Sequence, residues 1–340
     1  MFLSIKEDLF ANNANNMTYT TTPPGPPAPP PTTKDTVALI IGGWYGIYGD
    51  SFTSTEIYPP VVGCSLPSLP EERSRHAGFV HNNAVTLCGG WVKASSLTKS
   101  CLVLDIENQR WEKNVIGDLT VYRYEHAAVS VENVGTYLIG GASENPGMNP
   151  TTTDFLASGL TEWTWGPRLP VSMHSPCVVR ISQLSFLAIH GHNIREYQVD
   201  VANPTSSSGW QEANKWPTLQ TYRGGLGCAL TTNNKVVIAG GGSVYTYHKS
   251  SEVLDLATRK ITNSGDMTSP RAYVHLATTT VGGETKIFAI GGKWRSSYAL
   301  DSVEEFNPDD ESWTLAPTTL AERKFNFGRL VVEVETICPT

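Results

Sequence analysis

No block of lysine and arginine occurs anywhere in the 340-residue chain, whose formal net charge is −7. General binding to nucleic acid or to anionic membranes rests on a positive footprint, so both are disfavoured. No apolar run approaches the ~18–20 residues of a membrane span. Cysteine is scarce, at six residues, with no Cys-x-x-Cys. That is too few for a disulfide scaffold. Cys88 and Cys101 fall opposite each other on adjacent strands and form a candidate disulfide, but cysteine's preference for burial favours two thiols. P-loop, dinucleotide, His-Glu-x-x-His and Gly-x-Ser-x-Gly motifs are all missing, which leaves catalysis poorly supported. Helical periodicity is nearly absent too. The opening Met1–Phe10 meets charge too early for a signal peptide, so the chain as written is expected in the cytoplasm, or secreted if its N-terminus is incomplete.

What is present is a repeated phrase. Thr136–Gly141 reads TYLIGG, and apolar residues lead into a glycine pair again at 42, 89, 240 and 291, with a defective copy, Phe186–Gly191, at 190. The steps are 47, 51, 50, 50 and 51 residues. Six such units are each too small to bury an apolar face alone, and stack. Each continues with a polar loop and a strand with an apolar-acidic close, such as Glu56–Tyr58 or Val303–Phe306. A tryptophan follows (Trp111, Trp163 or Trp165, Trp210 or Trp216, Trp313), with Cys64 and Ile261 in its place elsewhere. Last comes an arginine: Arg73, Arg123, Arg223, Arg271 and Arg323, with Met173 in the third unit.

Ahead of the repeats, residues 1–36 form a proline-rich N-terminal tail expected to be disordered. Its tract Thr20–Thr33 suits an extended spacer, and the sequon Asn16–Thr18 matters only in a secreted protein. Residues 336–340 are read as a C-terminal tail. The first unit opens at its glycine-pair strand and lacks the strand that should precede it. Arg323–Glu333 ends in a strand with no glycine pair after it, and is expected to complete that unit.

The glycine pair, acidic strand close, delayed tryptophan and arginine together resemble the kelch repeat over residues 37–335. The resemblance implies an all-β fold: a six-bladed β-propeller of four-stranded antiparallel blades, its ring closed by the C-terminal strand. WD-type propellers fit less well, having a shorter period and a Trp-Asp dipeptide that does not occur here. The resemblance also implies function. Kelch adaptor proteins dock partner peptides on one face, through loops after the glycine pair and residues just after the arginine. Carried over by position, these are Trp44, Tyr45, Trp91, His192, Lys293, Trp294 and Arg295, then Ser74, Arg75, Tyr124, Glu125, His174, Tyr273 and Phe325. Arg75 leads, because a guanidinium clamps a carboxylate at two points. Trp44, Trp91 and Trp294 could equally seal loop bases.

The expected function is non-catalytic recognition of a protein or peptide by a monomer, with no cofactor, no nucleic acid and no membrane insertion. The alternative is an enzyme of the same fold acting on a sugar or other small molecule at the channel mouth. Bacterial sialic acid mutarotases are kelch propellers of six units, but no catalytic motif maps from them. The ligands of galactose-oxidase-type enzymes find no place, and the Glu-x3-Asp-x3-His run of plant specifier proteins fails at Pro204. His190 and His192 point to one face of a strand, yet two imidazoles fall short of the three or four ligands of a zinc site, so no metal is expected.

Overall fold

The computed structural model describes residues 34–46, 50–93, 96–143, 151–243, 246–295 and 298–339. The proline tract and the sequon lie outside them. Almost every element is a strand. Three antiparallel sheets have four strands each: Ala77–His81, Ala84–Cys88, Cys101–Asp105 and Arg110–Lys113; Ala127–Val131, Gly135–Ile139, Thr153–Ala157 and Thr164–Trp165; Gly227–Leu230, Lys235–Ala239, Ser251–Asp255 and Lys260–Ser264. Cys177–Ser182, Ser185–His190 and Asn193–Gln198 make a three-stranded sheet, with Trp210 bridging Tyr197 beside it. A seven-stranded sheet falls into two groups. His275–Val281, Glu284–Ile290, Val303–Asn307 and Ser312–Leu315 form one, while Thr36–Ile41, flanked by Gly328–Glu333 and Thr55–Tyr58, forms the other. They meet at a single pair, Thr36↔Thr280. The last strand thus pairs with the first described strand, in register from Thr36↔Glu333 to Ile41↔Gly328. No helix among the described residues is long and apolar enough to cross a membrane.

The strands that carry the repeated phrase are buried on both faces, as in Gly135–Ile139, and the cores lie between successive sheets. Leu39 and Ile41 pack with Leu87, Leu102 and Trp111, whereas Phe79 and Val103 pack with Leu138, Leu156 and Trp163. The delayed tryptophan fills these gaps. The Trp163 ring meets Phe79 edge-on at 5.8 Å, while Trp165 is exposed. Trp313 Nε1 donates to Ser251 Oγ at 3.0 Å, and Trp216 Nε1 to Glu196 Oε2 at 2.8 Å.

The repeat arginines explain the glycine pairs. Arg73, Arg123, Arg223 and Arg271 are completely buried. Each sends its guanidinium forward to the next unit's first-glycine carbonyl, as Arg123 Nη1 does to Gly140 at 2.7 Å and Arg223 Nη1 to Gly240 at 2.8 Å. Asp154, Glu252 and Glu304 neutralise Arg123, Arg223 and Arg271. The arginine's own carbonyl accepts from the second glycine of its unit, as at Gly43 N–Arg73 O, 2.9 Å. A Cβ at Gly240 would sit 2.3 Å from the Arg271 carbonyl, and its φ is +66°, so only glycine fits.

In the last unit the expected Arg323 is exposed and pairs with Asp301. Lys324 takes its place instead: it is fully buried, with Nζ 2.7 Å from Glu56 and 2.9 Å from Ser54 Oγ. Glu56 Oε2 also accepts the Ala321 amide at 2.6 Å, as Glu304 accepts that of Thr268 at 2.6 Å.

The cysteines depart from the sequence expectation. All six are bonded, as Cys64–Cys338, Cys88–Cys101 and Cys177–Cys228. Cys88 and Cys101 are a directly opposed strand pair, so burial and bonding coincide there. Residues 336–338 are no free tail: Val334–Ile337 is a helical turn, Ile337 is buried, and Cys338 is joined to Cys64.

Denaturing thiol titration of the unreduced protein should therefore find no free cysteine. Cys338→Ala should cost about 2–4 kcal/mol in a urea melt, the usual worth of a bridge closing a long loop. A second expectation concerns acid. His76, His126 and His275 are buried, and burial lowers the first and last to about 3 and His126 well below the usual imidazole value. Below pH about 6.5 the unfolded chain binds protons that the fold refuses. Stability is therefore complete above that pH and falls as pH drops toward 3, by up to about 1.4 kcal/mol per pH unit for each histidine. Urea melts from pH 7.5 to 4.5 measure the slope, and a flat profile would contradict it.

Candidate functional site

The chain leaves each buried cation, and Met173 in the third unit, by a tight step. Two residues past Arg73, Arg123, Met173, Arg223, Arg271 and Lys324 stand Arg75, Glu125, Ser175, Gly225, Tyr273 and Asn326, and all six have positive φ, from +51° to +62°. Non-glycine residues adopt this conformation only where surroundings enforce it. Here the enforcement is a chain of amide bonds. Arg75 N donates to Asn326 O at 2.6 Å, Glu125 N to Arg75 O at 2.8 Å, Ser175 N to Glu125 O at 3.1 Å, and Tyr273 N to Gly225 O at 2.6 Å. One residue earlier, short bridges tie each cation loop to the next glycine-pair loop: Ser74 to Trp91, Tyr124 to Ala142, Ala272 to Lys293, and Phe325 to Trp44. Equivalent positions in different units are thereby gathered at one end of the sheets.

Their side chains make a charged cluster in an aromatic collar. Glu125 is the hub. Its Oε1 lies 3.2 Å from Arg75 Nη1 and 3.4 Å from Asn326 Nδ2, and its Oε2 lies 2.6 Å from Ser175 Oγ and 3.2 Å from His174 Nε2. The Arg75 guanidinium lies 4.3 Å above the Trp44 ring and within 6 Å of Trp91 and Tyr124. Lys293 Nζ lies 5.0 Å from the Tyr273 ring centre and 5.3 Å from that of Phe325. The Glu125 charge, and after it burial, push the Tyr273 phenol upward, while burial lowers the Lys293 ammonium.

A cavity of about 470 Å³ opens here between Trp44, Arg75, Tyr124, His174, Lys293 and Phe325. A neighbouring one of about 590 Å³ shares His174, Tyr273 and Lys293 and adds His190, Tyr222 and Tyr247.

Of the residues chosen from sequence, the cluster thus holds Trp44, Arg75, Trp91, Tyr124, Glu125, His174, Tyr273, Lys293 and Phe325. Ser74 is buried, which removes it as a contact residue. Tyr45, Trp294 and Arg295 stand outside both cavities, Arg295 lying over the Trp294 ring at 4.9 Å. His192 is held by the Leu219 carbonyl at 2.8 Å, and only its neighbour His190 lines a cavity. Burial, and then the His174 charge, lower His190 to about 4. Among the described residues no three His, Cys, Asp or Glu side chains group as metal ligands. Sequence reading missed Ser175 and Asn326. Counting two positions from Met173 and from Lys324 would have found both; counting from Arg323 reached Phe325 instead.

Comparison with known proteins bears on the fold. No curated protein matches the sequence. A solved structure titled as that of YjhT is similar over 84% of this chain and 95% of its own, with a TM-score of 0.63 and 13% identity. The model of the Kelch motif matches residues 277–319, which hold a glycine pair at 291 and 292, Glu304 and Trp313 in the order of the repeat. The chain thus carries a kelch motif at residues 277–319, and its all-β fold of antiparallel sheets is similar to that of this solved structure.

Proposed function

We propose that this chain is a closed, six-bladed propeller whose face around Arg75 recognises an acidic protein or peptide segment without catalysis. Closure is supported by Lys324. It reaches Glu56 and Ser54 just as the repeat arginines reach the unit that follows them, and Phe325 bridges Trp44 as Ser74 bridges Trp91. The three bonded cysteine pairs suit an oxidising compartment, against the cytoplasmic expectation.

The observation that carries the recognition reading is the engagement of Glu125. Ser175 Oγ and Asn326 Nδ2 donate to it, and Arg75 and His174 form ion pairs with it. Such a group holds its neighbours in place and is occupied by them rather than presented to a ligand. What faces outward is cationic and aromatic: part of the Arg75 guanidinium, Lys293, and the rings of Trp44 and Tyr124, with the buried Phe325 behind them. Arginine and aromatic side chains on a broad cavity are the usual anchors of a binding face. A carboxylate arriving between Arg75 and Lys293 would gain charge-assisted hydrogen bonds, with its aliphatic or aromatic flank against the rings.

Two measurements test these readings. Lys324→Met should cost about 3–5 kcal/mol in a urea melt, since it strands Glu56, whereas Arg323→Ala should stay within about 0.5 kcal/mol. Equal effects would argue against closure by Lys324. On an array of Glu- and Asp-rich peptides containing aromatics, Arg75→Glu should weaken the best binders by about 30-fold or more, as a hot-spot residue does. Arg110→Glu on an outer strand should leave binding unchanged. No loss in Arg75→Glu, or capture of a monosaccharide acid in place of peptides, would overturn the recognition reading.

A further inference from the structure

Below the face lies a second, smaller space. The leading strands of successive sheets border a chamber of about 90 Å³, lined by His76, His126, His275 and Arg329 among apolar side chains such as Val178 and Leu276. No Asp or Glu lines it. His76, His126 and His275 are each more than nine-tenths buried. The His76 ring makes only weak backbone contacts, at Ser74 and Ile41, and that of His126 only one, at Cys88, while Nδ1 of His275 has no hydrogen-bond partner.

Arg329 is more unusual. It sits on the last strand opposite Ile40, and its guanidinium makes one hydrogen bond, from Nη1 to the Val274 carbonyl at 3.0 Å. Every repeat arginine has a carboxylate partner, but among the described residues none pairs with Arg329. Glu125 is the carboxylate whose charge it feels, and that group is already taken by Arg75 and three other partners.

A guanidinium stays charged in proteins and carries five N–H donors. Arg329 is half-buried, so water screens its charge only in part and no counter-ion among the described residues stands beside it, and a buried polar atom without a partner, such as His275 Nδ1, calls for an occupant. The converging groups are a cation and three imidazoles, each able to offer an N–H, so the missing partner is negative. Its size is bounded as well. The chamber holds several water-sized spheres but is too small for a peptide side chain with its backbone or for a sugar. A wider cavity of about 410 Å³ shares His275 and Arg329 and gives a route in from the far end.

We propose that this chamber is a specific site for one small monovalent inorganic anion of halide size, held by the Arg329 guanidinium and by N–H groups of His76, His126 and His275. The site is independent of the peptide face, because none of its four polar residues lines either cavity there.

The test uses the intact protein. At constant ionic strength, replacing sodium gluconate by sodium chloride should raise the thermal midpoint progressively in the native chain, as ligand binding to the folded state requires. The midpoint of Arg329→Gln should not respond. Crystals soaked in sodium bromide should show an anomalous peak within hydrogen-bond distance of the Arg329 guanidinium. Equal chloride responses in native and variant protein, or a chamber without bromide, would overturn the proposal. If Arg329→Gln fails to fold, the bromide result on the native protein decides alone.

Discussion

A positive charge that cannot reach water, held between two neighbouring sheets, is what the architecture depends on. Each repeat arginine is enclosed, so its cost is offset only while the next unit supplies carbonyls and a carboxylate in place. That requirement fixes the spacing of everything around it. The glycine pair must be glycine because the cation's own carbonyl presses against it. The acidic strand close must be acidic where it meets the guanidinium, as at Asp154, Glu252 and Glu304. Where the acid is missing, as at Leu102, Arg73 turns to Glu71 and to the Ser100 carbonyl and hydroxyl.

The same constraint builds the face. Because the backbone turns sharply after each of the five cations, and likewise after Met173, six left-handed residues recur at this phase, and the repeat is free to place any side chain there. It places Arg, Glu, Ser, Gly, Tyr and Asn. Regular backbone therefore yields an irregular chemical surface, and the ligand preference comes from the six substitutions rather than from the fold. Glu125 unites four of them into one rigid group, which keeps Arg75 in one orientation over the Trp44 ring.

Much of this was legible in the residues. The glycine pairs, the acidic strand closes and the tryptophans are local and periodic, so the strands and their order could be read directly. Most of the collar followed by position from the resemblance. What could not be read was anything set by distant parts of the chain. Lys324 looks like an ordinary surface lysine beside an arginine until Glu56 is brought to it. That single misplaced register hid Asn326. Ser74 shares the phase of Tyr124 and His174, but its small side chain is enclosed where theirs are not. The cysteine pairs Cys64–Cys338 and Cys177–Cys228 span 274 and 51 residues, beyond any spacing rule, and Arg329 is conspicuous only once its lack of a carboxylate partner is visible.

The bridge between Cys64 and Cys338 also changes how the molecule carries load. Tension applied to the polypeptide on either side of the two sulfurs passes straight through that covalent link. The sheets between them are bypassed and feel almost none of the pull. The chain from Cys64 to Cys338 would behave mechanically as one covalent loop hanging from a single knot, yielding to force only after reduction, while the strands ahead of Cys64 stay in the line of pull.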